Sequence, residues 1–536
     1  MWSTSKNQFK RTTLKNRENI GGIGHQSGGK RYIQTYNNRF NAKPCEDDMS
    51  FQDCELAILR QAVDENEEKK KGEIANSDMI KGMIEIVETF LKDTKCICYG
   101  GTAINNILPQ EAQFYNRDIE IPDYDFYSPT PLEHAIELAN IFFKAGYADV
   151  EAKAGVHAGT FKVFVNFIPM ADITELHPTL FKNISKDAIV IDDLYYCPAN
   201  FLRMNMFIEL SRPAGDVSRW EKVLKRMTLL NKYYPMVAEN CDKVTFQREM
   251  ESNQTESEKI YELTRDSFID QGCVFFGGYA SSMYARYMST AQKRVARSIP
   301  DFDVLSEDVD LTCSIVKEKL ESHGIKQVKI EKHEALGESI PEHREIKIGK
   351  DTIAFVYNPM ACHSYNEIEI QQKNIRIATI DTILNFYLAF LYGDHSIMEG
   401  YKERVLCMCQ FLFNVEQQNR LSQKGLLKRF SMTCFGKQST LESMRAEKAA
   451  QFELLKSKRD SYEYKRLFLK YNPNRGNVVK PVKREIKKKS ATAKKSLTKE
   501  SAIKGSNGRK TPKKKKKADT SKIFEFKIPK KRNWLF

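Results

Sequence analysis

The sequence predicts an α+β fold built as a tandem duplication, with a helical segment ahead of it and a disordered basic tail behind. Two observations carry this. Short β-prone runs and amphipathic helical stretches interleave through the middle of the chain, the pattern of mixed layered domains. One stretch also occurs twice: Ile97-Cys-Tyr-Gly100-Gly101-Thr-Ala returns as Val274-Phe-Phe-Gly277-Gly278-Tyr-Ala, and Ile121-Pro-Asp123-Tyr-Asp125-Phe returns as Ile299-Pro-Asp301-Phe-Asp303-Val. The second glycine and the first aspartate are 22 residues apart in the first copy and 23 in the second, so spacing is shared as well as identity.

Taken in order, residues 1–45 are polar and basic and read as a flexible arm. Within it Gly24-His-Gln-Ser-Gly-Gly29-Lys30 imitates a phosphate-binding loop, but Arg31 stands where Ser or Thr must reach a metal, and no apolar strand precedes it. Residues 46–94 form a helical N-terminal segment, with apolar residues at helical spacing over Ser50–Lys71 and Asp78–Lys92. The first copy spans 95–240. It opens on a short strand ending in Gly100-Gly101, followed by a strand over Ile119–Phe126. Thr130-Pro-Leu-Glu133 has the form of a capping box and starts a helix that ends near Gly146. Strands over 147–153 and 160–173 and helices over 199–232 complete the copy.

The second copy spans 241–474. A helix closing near Gly324 and a strand over 325–330 repeat the order of the first, and Phe355-Val-Tyr-Asn-Pro-Met-Ala-Cys362 faces Phe164-Val-Asn-Phe-Ile-Pro-Met-Ala-Asp172. Residues 415–470 read as charged helices. The last segment, 475–536, is low in complexity and densest in lysine at Lys513–Lys517; it buries too little apolar surface to offset its chain entropy.

Charge is distributed unevenly. The 536 residues carry 85 Lys and Arg against 70 Asp and Glu, a net +15. Residues 475–536 hold +19 of this and residues 1–45 hold +8, which leaves −12 on the region expected to fold. A polyanionic partner fits the ends rather than the middle. With 41% hydrophobic residues, global disorder is excluded. The longest apolar run, Phe386–Tyr392, is far too short to span a bilayer. Met1–Arg17 has no apolar core of the secretory type, so the protein is expected to stay inside a cell or particle. Twelve scattered cysteines with no C-x-x-C pair are expected to be reduced and structural.

The repeated motif carries chemistry. On a strand, residues i and i+2 share a face, so Asp123 and Asp125 present paired carboxylates, whose repulsion a hard divalent cation relieves. Asp172 supplies a third if its strand lies alongside. Three acids of this kind can hold two ions for phosphoryl transfer. Gly100-Gly101 lets backbone approach phosphate, and the helix starting at Thr102 offers free N–H groups. The second copy puts Cys362 where the first has Asp172, so it is expected to be catalytically degenerate and to act as scaffold or RNA contact; His363 as a substitute ligand is the competing reading. In Ser211-Arg-Pro-Ala-Gly-Asp-Val-Ser-Arg219-Trp-Glu-Lys222-Val-Leu-Lys-Arg226, Arg219, Lys222 and Arg226 line one helical face that reaches either a triphosphate or a nucleic-acid backbone, or is merely solvated. His157 invites a general-base role but is better read as structural.

Tyr99-Gly-Gly-Thr102, Asp123-Tyr-Asp125-Phe and Asp172 resemble the DNA polymerase β-like nucleotidyltransferase superfamily. With Pro122–Ser128 and Ser211–Lys222, the stretch 80–430 resembles the poly(A) polymerase catalytic subunit of large cytoplasmic DNA viruses, of the giant-virus and poxvirus kind. That resemblance implies tandem polymerase β-like nucleotidyltransferase domains, the second degenerate, and template-independent addition of AMP from ATP to mRNA 3′ ends with release of pyrophosphate. It implies two Mg²⁺ or Mn²⁺ ions held by Asp123, Asp125 and Asp172, and ATP bound by Gly100, Gly101, Thr102 and Lys222. It further implies a homodimer, a possible partner of the cap-methyltransferase type, no membrane, and a place in the host cytoplasm, its viral factories, or the virion. The alternatives are a CCA-adding or oligonucleotide-synthase type of nucleotidyltransferase, and an inactive RNA-binding subunit.

Overall fold

The computed structural model describes residues 45, 49–116, 118, 120–241, 254–296, 302–393 and 400–475. The flexible arm with its loop-like Gly24–Lys30, the basic tail and Asp301 therefore lie outside the described residues, apart from Cys45 and Arg475. Two helices open the described chain. Phe51–Ala75 starts where the Ser50 hydroxyl accepts from the Asp53 N–H, and Asp78–Thr94 starts where Ser77 accepts from Ile80.

Two eight-stranded sheets follow, and seven strands of each repeat in the same order. In the first, the strands are β1 (Ile97–Cys98), β2 (Tyr124–Ser128), β3 (Val150–Ala154), β4 (Thr160–Val165), β5 (Ile168–Glu175), β6 (Ile189–Ile191) and β7 (Leu194–Tyr196). In the second they are β8 (Val274–Phe275), β9 (Phe302–Leu305), β10 (Val328–His333), β11 (His343–Ile348), β12 (Asp351–Tyr357), β13 (His363–Ile370) and β14 (Lys373–Ala378), with β15 (Cys434–Phe435) added at the edge. The spatial order β3-β4-β5-β2-β1-β7-β6 reappears as β10-β11-β12-β9-β8-β14-β13. Each of the six junctions keeps its direction: antiparallel except for the parallel pairs β2/β5 with β9/β12 and β1/β7 with β8/β14. The last strand, β16 (Lys470–Tyr471), leaves the second copy and pairs with β3, closing the edge of the first sheet.

Helices cover the sheets. Pro131–Lys144 packs Leu132, Ala135, Leu138, Ala139 and Phe142 inward, each fully or almost fully buried. These positions recur every three or four residues, one helical stripe laid on a sheet. The two copies also meet directly. The Asn183 amide donates to the Tyr392 carbonyl at 2.9 Å, the Ser364 N–H donates to the Ser211 carbonyl at 2.8 Å, and Trp220 lies against Phe430.

Several expectations are corrected. The second strand begins at Tyr124, not at 119, so Asp123 sits just ahead of it. The predicted strand over 160–173 is a hairpin, β4 and β5, turning through Asn166 and Phe167 at φ 49° and 66°. That turn shifts the pairing of the copies: the residue opposite Asp303 is Phe355, not Cys362. Cys362 instead forms a disulfide with Cys434. His363 is no substitute ligand either, because β13 lies three strands from β9 and the imidazole is buried beside Phe386. Nor are all thiols reduced, since Cys45–Cys54 and Cys241–Cys407 are also bonded, leaving Cys96, Cys98, Cys197, Cys273, Cys313 and Cys409 free and buried. The capping box at Thr130 does not form; the Ser128 hydroxyl accepts the Thr130 N–H instead, at 2.9 Å.

Candidate active site

The acids meet where β2 and β5 run parallel. Asp125 and Asp172 are register partners across that junction, so both side chains leave the same face of the sheet. Asp123 precedes β2, and its carbonyl accepts the Thr102 hydroxyl at 2.7 Å. Thr102 is thus buried and spent on holding the Asp-x-Asp segment against the glycine helix. Burial, reinforced by Asp123 and Asp172, pushes the Asp125 carboxyl up to about 7. Burial and then Asp172 also raise Asp123. These are the shifts expected of buried acids that also feel one another's charge.

Lys162 completes the group. It is the register partner of Asp172 on β4, and its ammonium ion-pairs with Asp172 Oδ2. The other oxygen, Asp172 Oδ1, is buried with no hydrogen-bond partner. A buried carboxylate oxygen left unsatisfied costs free energy unless something supplies positive charge, and a hard divalent ion is suited to do so. The three carboxylates therefore fit a metal centre. They are not gathered tightly: among the described residues, the sets of His, Cys, Asp and Glu whose side-chain atoms all lie within 4.8 Å are Glu331, His333 and Glu345, and Cys241, Glu403 and Cys407, where the two cysteines are bonded to each other. Asp172's engagement with Lys162 is consistent with that looser spacing.

The glycine pair faces the acids. Gly100 has φ +76°, and a Cβ there would come within 2.5 Å of Asp125 Oδ2, so both its conformation and its neighbour demand glycine. The Tyr99 N–H donates to the Asp125 carbonyl at 2.9 Å, tying the turn to β2. The helix Gly100–Ile107 opens with no side chain capping its N–H groups, which leaves them available to an anion. A Cβ on Gly101 would meet Tyr115 Oη at 2.6 Å and the Arg226 guanidinium at 2.8 Å.

Arg226 therefore reaches the glycine turn from the helix Trp220–Tyr233. Its guanidinium donates to Tyr115 Oη and lies 5.1 Å from the Phe114 ring. The loop carrying both rings is anchored by Asn105 Oδ1, which accepts from the N–H groups of Phe114 and Tyr115 at 2.7 and 2.9 Å. Lys222, one turn earlier on the same helix, is exposed; Arg226 is the main cause of its lowered pKa, followed by partial burial and Arg219. Arg219 is engaged with Glu209 at 3.3 Å. The structure thus brings Asp123, Asp125, Asp172, Gly100, Gly101 and Thr102 together and sets Lys222 beside Arg226. Sequence spacing missed Lys162 and Tyr115; the alternation Thr160-Phe-Lys162-Val at the start of β4 was the available hint for Lys162.

The same positions in the second sheet are inverted. Reading outward across four strands, the first copy places Asp125, Asp172, Lys162 and Lys153 in line, and the second places Asp303, Phe355, Glu345 and Glu331. Gly277 still abuts Asp303 as Gly100 abuts Asp125. The glycine–aspartate contact is retained, although Gly277 has φ −87° where Gly100 has +76°, but one acid and both lysines are gone.

Comparison with known proteins agrees with the resemblance read from the motifs. Residues 85–216 match the family model described as poly(A) polymerase catalytic subunit. The chain is 31% identical over 229 residues to a proposed poly(A) polymerase catalytic subunit of Acanthamoeba polyphaga mimivirus, covering 41% of this chain and 38% of that protein. It is 31% identical over 168 residues to a proposed poly(A) polymerase catalytic subunit of African swine fever virus, covering 30% of this chain and 35% of that one. The matched part thus spans little more than a third of either relative. In fold, the chain is similar to the crystal structure of the Megavirus polyadenylate synthase, with TM-score 0.66 at 19% identity over 86% of this chain and 89% of that one.

Proposed function

We propose that the chain is a polynucleotide adenylyltransferase, a template-independent poly(A) polymerase that adds AMP from ATP to mRNA 3′ ends. The observation that carries this is the pairing of Asp125 with Asp172 across β2 and β5, with Asp172 Oδ1 buried and unsatisfied, opposite a glycine turn reached by Arg226. Asp123 and Asp125 would hold both of two Mg²⁺ or Mn²⁺ ions, and Asp172 one of them. When bound, such ions stabilise the attacking and leaving oxygens of phosphoryl transfer.

The protein's own groups do the rest. The N–H groups at Gly100, Gly101 and Thr102 receive the triphosphate, and Arg226 with Lys222 offsets its charge. Thr102 fixes the Asp123 segment. Lys162 holds one oxygen of Asp172 and leaves the other turned to the reacting centre. The primer's 3′ oxygen bonds to the α-phosphorus as the bridge to the β-phosphate breaks, and pyrophosphate leaves. The catalytic domain is taken as 95–240 and the degenerate one as 241–474, with β16 returning to the first sheet. The homodimer, the methyltransferase-type partner and placement in host cytoplasm or virion belong to the same proposal.

Primer extension with each of the four NTPs, on parent and Asp172→Asn, tests it. ATP-specific extension lost in the variant supports the reading. Ordered C and A addition would instead indicate a CCA-adding type, and primer-independent synthesis an oligonucleotide synthase. RNA binding with no extension by any NTP would make the chain an inactive RNA-binding subunit.

A further inference from the structure

The helix Trp220–Tyr233 has two sides with different surroundings. One side carries Arg226 to the glycine turn, and another walls a cavity of about 530 Å³ whose opposite wall comes from the second copy, from the helix Tyr401–Gln418 and the segment 423–430. Leu224, Met227, Phe413 and Phe430 give it apolar and aromatic surface. Asp381, Glu416 and Arg429 converge on it. Arg429 donates through Nε and Nη2 to Asp381, at 3.2 and 2.9 Å to Oδ1, and pairs through Nη1 with Glu416 Oε1. Glu416 Oε2 is buried with no partner. Two carboxylates thus share one guanidinium, and a hydrogen-bond acceptor is left over. Lys232, Arg420 and Lys428, all exposed, line the same cavity.

We propose that this cavity binds a nucleoside phosphate, its base against Phe413 and Phe430 with an N–H edge donating to Glu416, and its phosphate toward Lys232, Arg420 and Lys428. The volume suits a ligand of that size. Aromatic walls stack any base. An unsatisfied buried carboxylate oxygen is costly, and a base's exocyclic amine or ring N–H removes that cost. Burial and the Asp381 charge push the Glu416 carboxyl up, as expected of an acid short of donors. The ligand class rests on the adenylyltransferase reading, and two sources share the chemistry: free nucleotide and the terminal nucleotides of an RNA.

The test uses full-length protein in EDTA, with AMP and the dinucleotide ApA as probes in equilibrium dialysis. Thr228→Trp places an indole in the cavity from an exposed helix position. Binding of AMP, of ApA or of both is expected to weaken about tenfold or more in that variant, and to be unchanged in Asp125→Asn. Loss of AMP binding marks the free nucleotide as the source; loss confined to ApA marks RNA. Thermal unfolding accompanies each measurement, and if Thr228→Trp unfolds early, the exposed Lys428→Glu replaces it with the same expectation. Unaltered affinity for both probes in a folded variant, or no binding by the parent, overturns the inference. A parent that binds the probes at this cavity yet extends no primer would sink the adenylyltransferase reading alone.

Discussion

Phe355 stands opposite Asp303 in the second sheet at the position where Asp172 stands opposite Asp125 in the first. A ring replaces a carboxylate at a register-matched site, so among the described residues the second sheet lacks the third acid of the proposed metal centre. Asp125→Asn is expected to lower AMP incorporation by roughly 10³-fold, an order typical of losing a group that stabilises transition-state charge. Asp303→Asn should leave the rate within about twofold. Steady-state incorporation on a defined primer checks both.

Gly100→Ala combines two penalties. The left-handed φ costs an L-residue about 1 kcal/mol, and the new methyl would press on Asp125 Oδ2 from 2.5 Å. A modest fall in Tm is expected together with a disproportionate loss of activity and weaker Mn²⁺ binding, read by thermal shift and metal titration.

Asp125 gives a pH signature. Its folded pKa of about 7 lies above the ordinary aspartate value of 3.8, so between those values the folded state binds more protons than the unfolded. Without metal, this group's contribution to stability falls as pH rises from about 4 through 7. A divalent ion must displace the proton, so the Tm gain on adding Mn²⁺ should grow over the same range and level off above 7. Asp125→Asn should flatten the metal-free pH dependence of Tm.

Lys162 holds Asp172 by one oxygen. Lys162→Met is expected to reduce kcat about tenfold, an effect of roughly 1.4 kcal/mol, with little change in KM for ATP. Lys162→Arg should restore most of it. Equal losses in Met and Arg variants would show that packing, not charge, is what the position supplies.

The Cys241–Cys407 bridge closes a sequence separation of 166 residues. Loop entropy assigns such a bond about 5 kcal/mol. Reductant should lower Tm markedly, and alkylation of the unfolded, unreduced protein should label six cysteines.

The fold was largely legible because its evidence was local. Gly-Gly and Asp-x-Asp recur with nearly equal spacing, and that alone shows a duplicated unit. The third acid's counterpart was misread because Phe164–Met170 and Phe355–Met360 look alike, yet one runs through the Asn166–Phe167 turn and the other runs to the end of β12 and just beyond it. A two-residue hairpin inside a hydrophobic run carries little signature when neither turn residue is glycine. Lys162, Tyr115 and the contact of Arg226 with Gly101 depend on register and on a loop, and the disulfides depend on residues up to 166 positions apart. Separation along the chain hid these.

The return of β16 to β3 has a consequence for synthesis. Ala154 donates to the Leu469 carbonyl at 3.0 Å, and Lys470 and Tyr471 pair with Lys153 and Ala152. At translation rates of about 5–20 residues per second, roughly 15–60 s pass between the emergence of the two partners. Throughout that interval the nascent first sheet shows an open edge, the kind of surface that recruits stray strands. A ribosome that stalls or a message cut short before Leu469 would leave the acids assembled on a sheet whose border is still unsealed.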